Sequence, residues 1–108
     1  MYEGDYINDN FEGNGKYIWE DGSHYIGQWK DDLRNGKGTL YYQNGKINYD
    51  GDWVNGRPNG YGKYIYGNDS YYIGQWKNSS KNVRGTMFNS SGIIIKKGKW
   101  LNDVFIKN

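Results

Sequence analysis

Residues 49–64 read YDGDWVNGRPNGYGKY, with four glycines and four aromatic residues among sixteen positions. The opening Y-x-G-x-W of this stretch recurs along the whole chain. Its glycine falls at Gly4, Gly27, Gly51, Gly74 and Gly98, at spacings that alternate between 23 and 24 residues. Two positions before it stand Tyr2, Tyr25, Tyr49, Tyr72 and, breaking the column, Lys96. Two positions after it stand Tyr6, Trp29, Trp53, Trp76 and Trp100. Nine positions after it a G-x-G pair begins: Gly13 and Gly15, Gly36 and Gly38, Gly60 and Gly62, then a degenerate Val83 with Gly85. Several columns held in phase over four periods define a repeat array rather than a low-complexity linker.

Each unit reads as a β-hairpin. Tyr49, Gly51 and Trp53 share one face of a first strand because side chains alternate with period two. Asn55-Gly56 then favours the positive φ angles of a type I′ turn. The same column reads Asn8-Asp9, Asp31-Asp32, Asn78-Ser79 and Asn102-Asp103, and Asn and Asp tolerate left-handed backbone. A second strand carries the G-x-G pair, with Gly60, Gly62, Tyr64 and Tyr66 expected on one face. Second turns follow at Asp21-Gly22, Asn44-Gly45, Asn68-Asp69 and Ser91-Gly92. The longer spacing places one extra residue after the second and fourth of these, where a bulge or longer loop is expected.

Glycine weakens a strand unless something must approach closely. Gly36, Gly38, Gly60, Gly62 and Gly85, with the first-strand Gly27, Gly51 and Gly74, are therefore expected to be structural. They form holes for the large rings of the same or a neighbouring unit. A ladder of this kind replaces a globular core, each hairpin burying its rings only when its neighbours are present.

The composition agrees. Aromatic residues supply 19% of the chain and hydrophobic residues in total only 35%, so burial falls to rings; 17 glycines and no alanine argue against long helices. A net charge of +2 implies neither nucleic acid nor an anionic surface by itself. The absence of cysteine removes a disulfide framework and thiolate metal sites. The N-terminal MYEGDYIND has no apolar leader core and no run is long enough to span a bilayer, so a soluble, cytoplasmic chain is expected. On that reading the sequons at Asn68, Asn78 and Asn89 are chance.

The columns in YIGQWKDDLRNGKGTLYYQNG (25–45) and YDGDWVNGRPNGYGKYIYGND (49–69) resemble MORN repeats, whose pattern runs Y-x-G-x-W, then G-x-G, then a turn glycine. The resemblance covers units at about 2–24, 25–48, 49–71 and 72–95 and a partial unit at 96–108, one array over residues 1–108. It implies an all-β fold: an elongated, twisted antiparallel β-hairpin meander of nine or ten sequentially paired strands without helices of note. It also implies a scaffold or interaction module of a cytoskeleton- or membrane-associated protein, with phospholipid binding, protein contact and homodimerisation as family roles. Lys96, Val83 and the missing fifth G-x-G depart from the pattern. An array that starts in phase at Tyr2 without a cap suggests an excised segment.

Signals for catalysis are weak. His24, the one histidine, lies beside a turn and makes no metal site alone. Asp31-Asp32 falls in a turn column, and Asp50 with Asp52 occupies the solvent-leaning face of a strand, poor settings for acid–base work. The G-x-G pairs precede no helix and lack a P-loop lysine, and the Ser-Ser pairs at 79–80 and 90–91 have no histidine partner. A non-enzyme without cofactor, metal or nucleic-acid partner is expected. Two readings of its surface remain. In one, the column Tyr25, Trp29, Tyr49, Trp53, Tyr72, Trp76 and Trp100 lines a groove for a protein partner or a second copy of the chain, unless the ladder consumes the rings. In the other, Lys37, Arg84, Lys96, Lys97 and Lys99 contact an acidic phospholipid; a solvated, edge-blunting face is the bland alternative. Either places the chain in the cytoplasm, peripheral to a membrane or the cytoskeleton.

Overall fold

A computed structural model describes residues 1–107. Ten strands form one open sheet in chain order, every neighbouring pair antiparallel: β1 (Tyr2–Ile7), β2 (Asn10–Ile18), β3 (His24–Lys30), β4 (Leu33–Tyr41), β5 (Ile47–Val54), β6 (Arg57–Ile65), β7 (Tyr71–Lys77), β8 (Ser80–Phe88), β9 (Ile94–Leu101) and β10 (Val104–Lys107). Among the described residues there is no helix. The longest dimension, 47 Å, is close to nine interstrand spacings of about 4.8 Å, so each hairpin advances the array by two spacings.

The turns take the backbone their residues permit. Asn8-Asp9, Asp31-Asp32, Asn55-Gly56, Asn78-Ser79 and Asn102-Asp103 all have positive φ, as a type I′ turn requires. Between units, Gly22, Gly45, Asp69 and Gly92 hold the left-handed position. The one-residue irregularities expected from the alternating period are present. Leu40↔Tyr49 is followed by Tyr41↔Ile47, leaving Asn48 over; Met87↔Lys96 is followed by Phe88↔Ile94, leaving Ile95 over.

A row of glycine runs across nine strands in register: Gly4, Gly15, Gly27, Gly38, Gly51, Gly62, Gly74, Gly85 and Gly98. A methyl group at Gly38, Gly62 or Gly85 would overlap the phenol of Tyr25, Tyr49 or Tyr72 respectively. Tyrosine rings lie flat against this row, so the holes expected at these positions exist.

The first glycine of each G-x-G does something else. Within each of the first four hairpins the register slips, and the second strand carries two residues more than the first. Between Gly51↔Gly62 and Trp53↔Pro58, for example, Asp52 alone faces Asn59, Gly60 and Tyr61. Gly36 and Gly60 sit in these bulges at φ 98° and 111°, with the Gln28 and Asp52 side chains rather than rings beside them. Their expected role as ring holes is therefore corrected: left-handed backbone is what they supply. Val83 occupies the same position at φ 69°.

Candidate functional site

The side chains facing the glycine row form a continuous ladder. Each tyrosine meets two tryptophans edge to face: Tyr25 with Trp29 at 5.1 Å and Trp53 at 5.3 Å, Tyr49 with Trp53 at 5.1 Å and Trp76 at 5.5 Å, Tyr72 with Trp76 at 5.1 Å and Trp100 at 5.4 Å. Every polar ring atom is satisfied by backbone. The indole nitrogens of Trp29, Trp53, Trp76 and Trp100 donate to the carbonyls of Gly15, Gly38, Gly62 and Gly85 in the preceding unit at 3.0–3.1 Å. The hydroxyls of Tyr25, Tyr49 and Tyr72 donate to the carbonyl three residues on. Burial raises all three phenols, Tyr25 and Tyr72 to about 12.

This geometry corrects the aromatic column as an exposed contact surface. Tyr25, Trp29, Tyr49, Trp53, Tyr72, Trp76 and Trp100 are the buried core of the molecule, Tyr25 and Tyr72 with no exposed surface at all. The exception shows the cause. Tyr6, in the tryptophan column of the first unit, has no indole N–H to make such a bond and remains 56% exposed.

The accessible part of this face is a second rank of rings beside the column. Two depressions of about 230 and 290 Å³ adjoin through Arg34 and Gly56. The first is walled by Phe11, Tyr17, Trp19 and Leu33, the second by Leu40, Pro58 and Tyr64. Arg34 stands between them, its guanidinium 4.7 Å from the Trp53 ring and 5.5 Å from Trp19, and donates to the Gly56 carbonyl at 2.9 Å. Desolvation lowers its pKa. Lys81 repeats the arrangement two units on, over Trp100 at 5.3 Å and Tyr66 at 5.6 Å.

The five expected lipid contacts do not all lie on one face. Lys37 is paired with Asp52. Lys96, in the tyrosine column, lies on the aromatic face 5.7 Å from the Phe105 ring. Arg84, Lys97 and Lys99 share the opposite, outer face: Arg84 and Lys97 edge a shallow depression floored by Tyr61 and Ile73, and Lys99 pairs in register with Arg84. His24 stacks on Tyr41 at 4.5 Å on that face, a packing role.

Two features escaped the sequence reading. The middle residue of Y-x-G-x-W-type columns, between glycine and tryptophan, reads Asp5, Gln28, Asp52 and Gln75, an acceptor in every complete unit. Each accepts the backbone N–H of the central G-x-G residue, at 3.3, 2.7, 2.9 and 3.2 Å, and so fixes the bulge. Charge is also segregated. Residues 1–54 hold ten acidic and five basic residues, residues 55–108 two acidic and nine basic. The small total conceals a strongly polar rod.

A family model described as MORN repeat matches the chain at residues 2–24, 25–47, 49–71 and 72–93. Comparison with curated proteins finds no match.

Proposed function

The chain belongs to the MORN repeat family, and from that premise we propose that it is a non-catalytic protein-interaction module of a scaffold. MORN repeats generally occur in membrane- and cytoskeleton-associated proteins, and a cytoplasmic position at one of these structures is part of the same reading. The observation that carries it is the pair of adjoining depressions on the aromatic face. Their floor is a ladder locked by indole and phenol hydrogen bonds, so a partner segment docking there meets preorganised aromatic surface and little ordering cost. The grooves are shallow and run across strands, which suits an extended or helical protein segment better than a small molecule.

Phospholipid binding is the second reading, favoured by outer-face cations that have no acidic partner among the described residues. Its magnitude ranks it lower. Three basic residues near an anionic leaflet contribute about 1 kcal/mol each, and stable anchoring takes a second signal.

Affinity capture of the tagged chain in cells, repeated with Leu33→Glu and with Lys97→Glu/Lys99→Glu, tests the order. Leu33 is 44% exposed, so the first change leaves the core intact. Protein partners lost with Leu33→Glu and kept with the lysine reversal support the groove. Partners indifferent to Leu33→Glu, with co-sedimentation on phosphoinositide vesicles abolished by the lysine reversal, would replace it with the lipid reading.

A further inference from the structure

The array repeats more closely over two units than over one. YIGQWK stands at residues 25–30 and again at 72–77. The same interval relates Arg34 to Lys81, each a cation held over three rings of the aromatic face. Arg34 lies 4.7, 5.5 and 5.9 Å from Trp53, Trp19 and Tyr25; Lys81 lies 5.3, 5.6 and 5.9 Å from Trp100, Tyr66 and Tyr72. Their polar partners differ. Lys81 donates to the Tyr66 hydroxyl at 2.9 Å and has the Asp103 carboxylate 3.8 Å away. Where that unit has Asp103, the Arg34 unit has Gly56, which offers only a carbonyl, 2.9 Å from Nη2. Arg34 thus has no acidic partner among the described residues. Its pKa is lowered by desolvation, as expected of a charge held without compensation. Nε and Nη1 have no protein acceptor, yet no buried side-chain nitrogen is left unpaired, so both are accessible where Arg34 lines the two depressions.

We infer that the groove takes an acidic amphipathic helix of a partner protein, with one carboxylate on Arg34 and an apolar side chain in the depression on either side. The inference rests on the groove reading above and names what fills it. Charge supplies the first part of the argument. A guanidinium braced by rings and by the Gly56 carbonyl presents its remaining N–H groups preorganised, which suits a bidentate carboxylate. Among the residues lining the two depressions Asp32 is the one acid, and its Oδ1 already accepts the Phe11 N–H at 2.7 Å. Lys81 is the internal contrast: the same ring setting, with a carboxylate already in place.

Spacing and backbone supply the second part. The depressions sit over successive unit junctions, two interstrand spacings or about 9.6 Å apart. A helix rises about 10.5 Å over seven residues and keeps positions i, i+3 or i+4, and i+7 on one face. Apolar residues at i and i+7 therefore reach both depressions, while an Asp or Glu at i+3 or i+4 falls on Arg34. An extended segment fits less well. Its same-face residues recur every 6.7 Å or so, and the span between depressions falls between one step and two. Its N–H and C=O groups would also find no partners, because the strands beneath the groove, β2 to β7, are already paired on both sides. A helix satisfies its own.

Selection on the chain from a display library of random peptides about 16 residues long, roughly four helical turns, tests it. The enriched peptides are expected to be acidic, with apolar residues seven apart and Asp or Glu three or four after the first. Fluorescence anisotropy then measures a selected peptide against variants, with circular dichroism as a fold control. Arg34→Met keeps an unbranched stem on the Trp53 ring and should weaken binding at least about tenfold. Replacing the peptide's acid by its amide should cost the same, and both changes together no more than either alone, the sign of a direct contact. Lys81→Met should leave affinity nearly unchanged; an equal loss there would mark unspecific charge attraction and overturn the inference. Peptides lost with Leu33→Glu but kept by Arg34→Met, or carrying a period-two pattern or net positive charge, would also overturn it and leave the groove reading standing. Peptides indifferent to Leu33→Glu, or a selection that enriches none, would remove both.

Discussion

Replacing Val83 by glycine should make the protein more stable, although it deletes a side chain. Val83 holds the bulge position that glycine holds in the first three units, at φ 69° beside 63°, 98° and 111° for Gly13, Gly36 and Gly60. Left-handed backbone costs an L-residue about 1–2 kcal/mol, and a β-branched one is a clear outlier there. Little burial opposes the change, because Val83 is 56% exposed. The larger freedom of glycine in the unfolded chain returns about 0.5–1 kcal/mol. The net gain is about 1 kcal/mol, which corresponds to an increase of about 0.5 M in the urea midpoint for a slope of about 2 kcal/mol/M. Urea unfolding followed by tryptophan fluorescence measures it directly, with Val83→Ala as the control. Alanine removes the same exposed methyls but keeps a Cβ at positive φ, so it should leave the midpoint nearly unchanged. If Val83→Gly is neutral or destabilising, or if alanine stabilises equally, left-handed strain is not what sets the cost at this bulge.

Gly62→Ala should cost about 2–3 kcal/mol or more, because the new methyl overlaps the Tyr49 phenol in a close-packed ladder; Gly67→Ala, in open space, should change the urea midpoint little. Alkaline pH should unfold the array. Unfolded phenols release their protons near pH 10, whereas Tyr25 and Tyr72 hold theirs to about 12. The native state thus binds more protons in that window, and stability that is complete below about pH 10 falls as pH rises through it. Urea midpoints across this range, read beside tyrosinate absorbance, should show ionisation and unfolding together; ionisation of all phenols in a folded chain would contradict the burial argument.

The array, its turns and the slips at Asn48 and Ile95 are legible in the sequence, for reasons that are local or periodic. Asn-Gly, Asp-Asp and Asn-Asp dipeptides declare positive φ, and a 24-residue unit beside a 23-residue one declares an inserted residue. The bulge inside each hairpin is hidden for the opposite reason. It occurs in each of the four full units, so it leaves no trace in the period, and only the register shows that Gly60 bends the strand while Gly62 accommodates a ring. Ring burial is hidden likewise. A column of tyrosine and tryptophan is compatible with an exposed groove or a core, and the choice depends on nine glycines aligning across strands so that the phenols can lie down. Charge segregation is present in the sequence but vanishes in its sum.

The division of labour between the two faces follows from the single-layer architecture. A sheet with no second layer must make its core from one face alone, and here flat tyrosines over glycine do so, with the indoles of Trp29, Trp53, Trp76 and Trp100 each tied to a carbonyl of the unit before it. The seven ladder rings on that face are thereby committed to stability, each of their polar atoms satisfied by backbone, while the second rank of rings beside them stays accessible. The outer face carries no such obligation: apart from the acceptors that hold the bulges, its residues at β1, β3, β7 and β9 touch little beyond their strand neighbours. Charge there can be arranged by strand without loss of packing, so a gradient of sign along the array is free to encode how copies or partners align. A repeat whose units contact only their neighbours cannot transmit a docking event through a common core. It can, however, present many weak contacts at fixed spacing, and rigidity along 47 Å is what lets contacts at its two ends act together.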